Sequence, residues 1–521
     1  MVHHHRASLL AHQQQQRKQV GDDVEEGGVG RMKEFRGRLA DYACQHRKHG
    51  HNALLRLLAG FALVSCLLLL LPGSPVSRAI DELLELGNEG GGASSLPSSP
   101  PCVKGICCDR TSPRTDVCVM RGDVRTHAAS NSLFLHQLVV NKSEASPPTE
   151  MEMEERIRPY TRKWESSIMS TIDELRLRTA QQGQSSVMSC DVRHDVPAVV
   201  FSTGGYTGNV YHEFNDGIIP LYITARRYDR KVVFVMLEYH AWWITKYGHI
   251  LQQLSDYPPI DFANDRRTHC FPEAVVGLRI HDELAIDAER MQRNSSIKDF
   301  RRMLDDAYRG RIQTIIQEEE RLLHHEEHNK EEDHDTEEHN TEKPNSKQRP
   351  LLVIVSRNGS RAIDNEAQLV RAADAQGFRV SVLQPRQDME LAKIYRSLNA
   401  SDVMVGVHGA AMTHFLFMRP GSVFIQIVPL GTDWAAETYY GHPARRLGLR
   451  YMPYKIKPSE SSLSARYARD HPVLTHPDAL NAKGWQVTKK VYLDGQNVRL
   501  DMPRFRRHLR QAYAHYAAQN S

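Results

Sequence analysis

Two polar constellations interrupt otherwise apolar stretches of this 521-residue chain. Each holds side chains suited to chemistry on a hydroxyl or a phosphate. The first is Gly208-Asn-Val-Tyr-His-Glu-Phe-Asn-Asp216, which follows a glycine-rich turn beginning at Thr203. Where a core helix would be apolar, it carries His212, Glu213, Asn215 and Asp216. On a helix, His212 and Asp216 stand four apart and share a face. A carboxylate or imidazole facing a cleft can take a proton from a hydroxyl. The plainer reading is helix capping by Asn215 or Asp216 beside a structural histidine, and the residues alone leave both open.

The second constellation is spread over three loops. One carries Ser356, Arg357 and Arg361. The next carries His408, Gly409, Ala410 and Thr413. The third, Pro429 to Glu437, carries Trp434 and ends at Glu437. Arginine forks match phosphate oxygens in pairs, and small residues let the backbone approach a ligand closely. Trp434 offers a flat face for a base or a sugar. An arginine in a surface loop is usually only solvated, but three polar loops at one sheet edge favour a site for a phosphate-bearing ligand. A divalent ion would call for an Asp-X-Asp. The only such triplet is Asp333-His-Asp335, inside a Glu/His-rich tract. A site without metal is therefore expected, with arginines and helix N-termini neutralising a leaving diphosphate.

Buried strands and short helices must hold these loops. Leu351–Val355, Phe378–Leu383, Val403–Val407 and Val423–Val428 are apolar runs of strand length. Between them lie helical patterns from Asn365 to Gln376, closed by Gly377, and from Asp388 to Leu398. Repeated β-α-β units with short loops predict a parallel, doubly wound sheet, whose ligands bind beyond the carboxyl ends of its strands. Upstream, Ala198–Phe201 and Lys231–Met236 read as strands flanking a helix from Gly217 to Arg227. A final amphipathic helix, Arg504 to Ala518, is expected to pack back on the first domain.

The chain is too long for one ordinary core. Residues 1–52 form a polar tail and 53–71 an apolar run. Residues 72–101 are a Gly/Ser/Pro-rich stem, 102–316 a first domain, 317–349 a Glu/His-rich insertion expected to be disordered, and 350–521 a second domain. A net charge of only +4 argues against a nucleic-acid binder. The basic excess is local: Lys33, Arg36, Arg38, Arg47, Lys48 and Arg56 precede the apolar run. That arrangement predicts an uncleaved signal-anchor with a cytosolic N-terminus and a lumenal remainder. Asn141, Asn294, Asn358 and Asn399 head N-glycosylation sequons consistent with a lumenal fate. Beyond the run the cysteines are Cys102, Cys107, Cys108, Cys118, Cys190 and Cys270, an even number. Disulfides are favoured over zinc, with connectivity open.

Several of these segments together resemble plant members of glycosyltransferase family 61. They are Gly208 to Asp216, Val355-Ser-Arg357, Gly406-Val-His-Gly-Ala-Ala-Met-Thr-His-Phe-Leu-Phe-Met418 and Val428-Pro-Leu-Gly-Thr-Asp-Trp-Ala-Ala-Glu-Thr-Tyr-Tyr-Gly441. Cys108 to Arg125, Ile157-Arg-Pro-Tyr-Thr-Arg-Lys163 and Val491 to Leu500 resemble the family too. The resemblance implies a GT-B fold of two Rossmann-like domains facing a cleft. It implies a single-pass type II Golgi membrane enzyme that transfers a pentose with inversion from a UDP-sugar to the xylan backbone. UDP-arabinofuranose giving an α-1,3 branch is the first expectation and UDP-xylose giving a β-1,2 branch the second. A non-catalytic glycan-binding subunit of a Golgi synthase complex is the reading of another class. The donor's UDP is expected on the second domain, with Asp216 as base and His212 orienting it, or the reverse. Ala411-Met412 stands where some members carry Gly-Leu, a difference expected to track donor or subgroup.

Overall fold

The computed structural model describes residues 102–103, 105–136, 154–180, 189–331 and 349–520. The polar tail, the apolar run 53–71, the stem, Asn141 and the Asp333-His-Asp335 triplet lie outside them. Among the described residues no helix is long and apolar enough to cross a membrane.

The chain forms an α/β structure on two sheets. The first has eleven strands: β1 Cys102–Val103, β2 Ile106–Asp109, β3 Val117–His127, β4 Ser132–His136, β5 Glu154–Ile157, β6 Leu175–Ala180, β7 Val192–Arg193, β8 Ala198–Ser202, β9 Val233–Leu237, β10 Ile260–Asp261 and β11 His269–Val276. Its main path runs β10-β9-β8-β11-β3-β4-β6-β5. Only one end is Rossmann-like: β10, β9, β8 and β11 are parallel. The other end, where β3 pairs antiparallel with β11, β2 and β4, is a hairpin-rich extension. The physical reason is connection length. A parallel pair needs a crossover of about a dozen residues or more, and the links before and after β3 are shorter. Disulfides Cys102–Cys107 and Cys108–Cys118 staple this extension, and Cys190–Cys270 ties the strand-preceding loop to β11.

The second sheet comprises β12 Leu351–Val355, β13 Arg379–Leu383, β14 Val403–Val407, β15 Val423–Val428 and β16 Arg450–Lys455. All are parallel, in the order β13-β12-β14-β15-β16. This is the doubly wound order whose strand sequence reverses between the first and third strands, here β12 and β14. In sheets of this order ligands bind at that switch point, beyond the strands' carboxyl ends. The sequence anticipates four of the strands; β16 alternates less cleanly and is the addition.

The longer helices are α1, a helical run over 210–225, α2 Ala241–Leu254, α3 Ile297–Glu331, α4 Glu366–Ala375, α5 Leu391–Asn399 and α6 Met502–Gln519. Two expectations are corrected here. Helix α3 continues through Glu331, so the Glu/His-rich tract begins as helix; its Glu, Arg and Leu are strong helix formers growing from packed upstream turns. Helix α6 packs on its own sheet, not on the first domain. Phe505, Leu509 and Ala512 join the core of β12, β14, β15 and α4, because both faces of a parallel sheet must be covered. The two halves are nonetheless not separate bodies. One core cluster runs from Phe214, Phe234 and Phe300 in the first half to Tyr395, Phe417 and Phe424 in the second.

Candidate functional site

The run α1 starts where Asn209 Oδ1 caps the Tyr211 N–H at 2.9 Å. Neither Asn215 nor Asp216 is the cap. Residues Glu213–Ile218 then wind as a π-helical turn, a feature common at functional sites. Within this run His212 Nδ1 lies 2.6 Å from Asp216 Oδ2. The Asp216 side chain has no exposed surface. Arg162 Nη1 donates to it at 3.2 Å and Asn215 Nδ2 at 2.8 Å. Burial alone would raise the Asp216 carboxyl; Arg162, His212 and Arg114 outweigh it and hold the group far below the usual carboxylate range. Asp216 is thus a fixed anion. Its contact with Nδ1 selects the tautomer in which the basic lone pair of His212 is on Nε2. Tyr206 stacks on the His212 ring, with centroids 4.3 Å apart. Arg162 is itself held by Glu165, which also accepts from the Tyr206 hydroxyl at 2.8 Å.

Glu213 faces the other way. It accepts from the Gly208 N–H at 2.6 Å and from the indole of Trp243, which shapes the glycine turn. Burial raises its carboxyl to about 7 despite these donors.

On the second half, Ser356 and Arg357 follow β12, His408 and Gly409 follow β14, and the Pro429 loop follows β15. The first two pairs meet at the switch point. Arg357 Nη1 reaches the His408 carbonyl at 3.4 Å, and a Cβ on Gly409 would fall 2.3 Å from Arg357 Nη1 and 3.8 Å from Arg361 Cζ. Glycine is therefore the residue that lets two guanidiniums flank this turn. Arg361 is buried at a left-handed φ of 59°, and its Nε and Nη1 have no hydrogen-bond partner. The buried Thr413 hydroxyl is likewise without one. His408 is buried, and burial, reinforced by Arg361 and Arg357, keeps it neutral. Gln426 Nε2 donates to its Nδ1 at 2.9 Å while Gln426 Oε1 accepts from Tyr451, so the His408 proton is on Nε2. Ala410 opens a 3-10 helix that runs to Phe417.

The Pro429 loop joins this turn through Tyr440, whose hydroxyl bonds the Gly409 carbonyl at 2.9 Å. Trp434 is half-buried beside Tyr439 and Trp485, at 5.8 and 6.4 Å between centroids. Glu437 is turned aside: Arg445 holds its carboxylate, with His442 at 3.6 Å. The first-half dyad and this turn are neighbours. Val210–His212 packs against Ala410–Phe417, and Tyr211 touches Tyr439 and Tyr440 at 5.4 and 6.0 Å. Sequence reasoning missed Arg162, Gln426 and Tyr440. Arg162 and Tyr440 lie in segments that carry the family resemblance, which was their one available signal.

Of the sequon asparagines, Asn294 and Asn358 are exposed. In the folded chain the Asn399 amide accepts from Arg301 and donates to Asp305 at 3.3 Å. Among the described residues no three His, Cys, Asp or Glu side chains gather as a metal site would require.

A family model described as Glycosyltransferase 61 matches residues 216–425. The xylan glycosyltransferase MUCI21 of Arabidopsis thaliana is 53% identical over 420 residues, covering 80% of this chain and 81% of that one. The β-1,2-xylosyltransferase XYXT1 of Oryza sativa subsp. japonica is 35% identical, covering 77% of this chain and 82% of that one. The α-1,3-arabinosyltransferase XAT3 of the same rice is also 35% identical, covering 77% of this chain and 63% of that one. With its histidine–aspartate pair set against an arginine-flanked turn at a parallel-sheet switch point, this chain belongs to glycosyltransferase family 61 and is a glycosyltransferase.

Proposed function

We propose that this enzyme transfers a pentose from a UDP-sugar to a hydroxyl of xylan, with inversion, during cell-wall synthesis. The two halves would work as a GT-B pair. The donor diphosphate lies at the β12–β14 switch point, against Ser356, Arg357, Arg361, Gly409, Ala410 and Thr413. The carrying observation is Arg361: a buried guanidinium with two donor nitrogens unused is costly unless a ligand completes it. A phosphate does so with charge-assisted bonds. Guanidiniums, rather than a divalent ion, meet the charge of the leaving diphosphate in this reading. His408 adds a neutral Nε2–H donor, and Trp434 with Trp485 supplies aromatic surface for the base or ribose.

His212, rather than Asp216, acts as the base. Asp216 is shut from solvent and committed to Arg162, so it orients the imidazole and stabilises it once charged. His212 Nε2 takes the proton of the acceptor hydroxyl; that oxygen bonds the anomeric carbon as the bond to the diphosphate oxygen breaks. The sugar is arabinofuranose or xylose, since relatives named for each stand at the same identity. We place the enzyme in the Golgi membrane as a type II protein, on the basic flank of the apolar run 53–71. The test is UDP release from a panel of UDP-sugars with and without xylo-oligosaccharide. Release dependent on both a UDP-pentose and the xylan fragment is expected; release with hexose donors alone refutes the proposal.

A further inference from the structure

Arg114 lies just before β3, far in sequence from the dyad but packed beside it. Its Nη1 donates to Glu283 at 3.0 Å, and its guanidinium sits 5.1 Å from the centre of the Trp164 ring. Arg162, which grips Asp216, lies over the same indole at 4.9 Å. Glu283 also accepts from Tyr211, the neighbour of His212 that touches the donor side at Tyr439 and Tyr440. The guanidinium is therefore fixed in position and plane at the boundary between the two halves. Two of its nitrogens, Nε and Nη2, are buried without a hydrogen-bond partner.

The charge around it selects the ligand. Arg114 and Arg162 stand among three carboxylates, Asp216, Glu165 and Glu283. Their positive charge is already matched, so this side does not attract an anion. Unused N–H donors in a charge-compensated setting suit neutral oxygen acceptors, such as sugar hydroxyls. The donor side, with Arg361 unpartnered, is the opposite case.

We propose that Arg114 is an acceptor-contact residue, donating from Nε and Nη2 to hydroxyl oxygens of a neutral pentose chain held beside the dyad. This rests on the reading of the enzyme as a pentosyltransferase acting on xylan. The test uses the full-length enzyme and Arg114→Lys, which keeps the charge that pairs with Glu283 but cannot supply the two-pronged donor. The acceptor KM for xylo-oligosaccharide should rise about tenfold, the loss of roughly one to two neutral hydrogen bonds. The donor KM should change far less than the acceptor KM. An acceptor KM within about twofold of wild type overturns the proposal, as does a change confined to the donor KM. A second arm needs no variant: wild-type enzyme with singly deoxygenated xylo-oligosaccharides should show a raised KM for at least one position. No rise at any position overturns the proposal, and tighter binding of uronate-bearing than neutral chains overturns the charge argument. A wild type that is active while Arg114→Lys is unchanged sinks only this inference. A wild type inert towards every pentose chain sinks the functional reading with it.

Discussion

At the scale of single residues, the proposed function divides the dyad into a group that is held, Asp216, and a group that would act, His212. Asp216→Asn removes an anion from a buried pair and leaves Arg162 without its second carboxylate. Breaking a buried pair costs about 3–5 kcal/mol, so Tm should fall with activity. His212→Gln should cut kcat by about 100-fold or more, the usual worth of a positioned base, with a smaller loss of Tm. If His212→Gln stays active while Asp216→Asn folds normally and is dead, the base is Asp216. Arg361→Met should weaken UDP binding by about tenfold or more, since hydrogen bonds to charged groups contribute roughly 1.5–3 kcal/mol, and should not lower Tm. Unaltered UDP affinity by calorimetry would remove Arg361 from the donor site. The sequence shows His212 and Asp216 as candidates because they interrupt an apolar helical pattern, and Arg357, Arg361 and His408 because they lie in loops at strand ends. It does not show that Glu437 is neutralised by Arg445, or that Asn399 is spent on Arg301 and Asp305. Those are matters of which distant side chain arrives.

At the scale of elements, the Ala411-Met412 pair has a structural meaning. Met412 is buried, and its Cε covers Gly406 in β14, where a Cβ would stand 2.3 Å from it. It packs beneath the turn rather than facing a ligand. Exchanging the pair for Gly-Leu is then a near volume-conserving change, expected to cost under about 1.5 kcal/mol and to leave the ratio of arabinosyl to xylosyl transfer unchanged. A switched donor preference would contradict this packing role. Gly406→Ala, by contrast, should destabilise by about 1–3 kcal/mol through overpacking, read as a lowered midpoint in denaturant. The strands and helices of the second half are legible because their apolar runs and glycine stops are local signals. The antiparallel extension of the first sheet is less so, since short β-branched segments look alike whichever way their neighbour runs. The π turn at Glu213–Ile218 leaves no periodic trace at all.

At the scale of the whole molecule, the two halves meet through a continuous core, and buried histidine lies at their junction. His414 is buried with its Nδ1 2.8 Å from the Ala411 carbonyl, and burial lowers its pKa to about 4. Between the ordinary value near 6.5 and about 4, the unfolded chain binds the proton and the folded chain does not. Stability should therefore fall as pH drops through that window and level off below it, by on the order of 3 kcal/mol for this group. His414→Gln should flatten that part of the stability–pH curve, measured by urea unfolding at pH 7 and pH 5. An unchanged slope would mean His414 is not the group responsible.

What the amino-acid sequence by itself determined is four strands of the second half with the helices between the first three, the loops at their carboxyl ends and the polar residues those loops carry. Turn chemistry and hydrophobic period act over a few residues, so they can be read directly. Only the tertiary structure decided which distant side chains hold these groups. Arg162 reaches Asp216 across 54 residues, and Arg114 reaches Glu283 across 169. Contacts at that separation are set by how the strands and loops of the first half fold onto one another, and packing has no signature in any single stretch of chain.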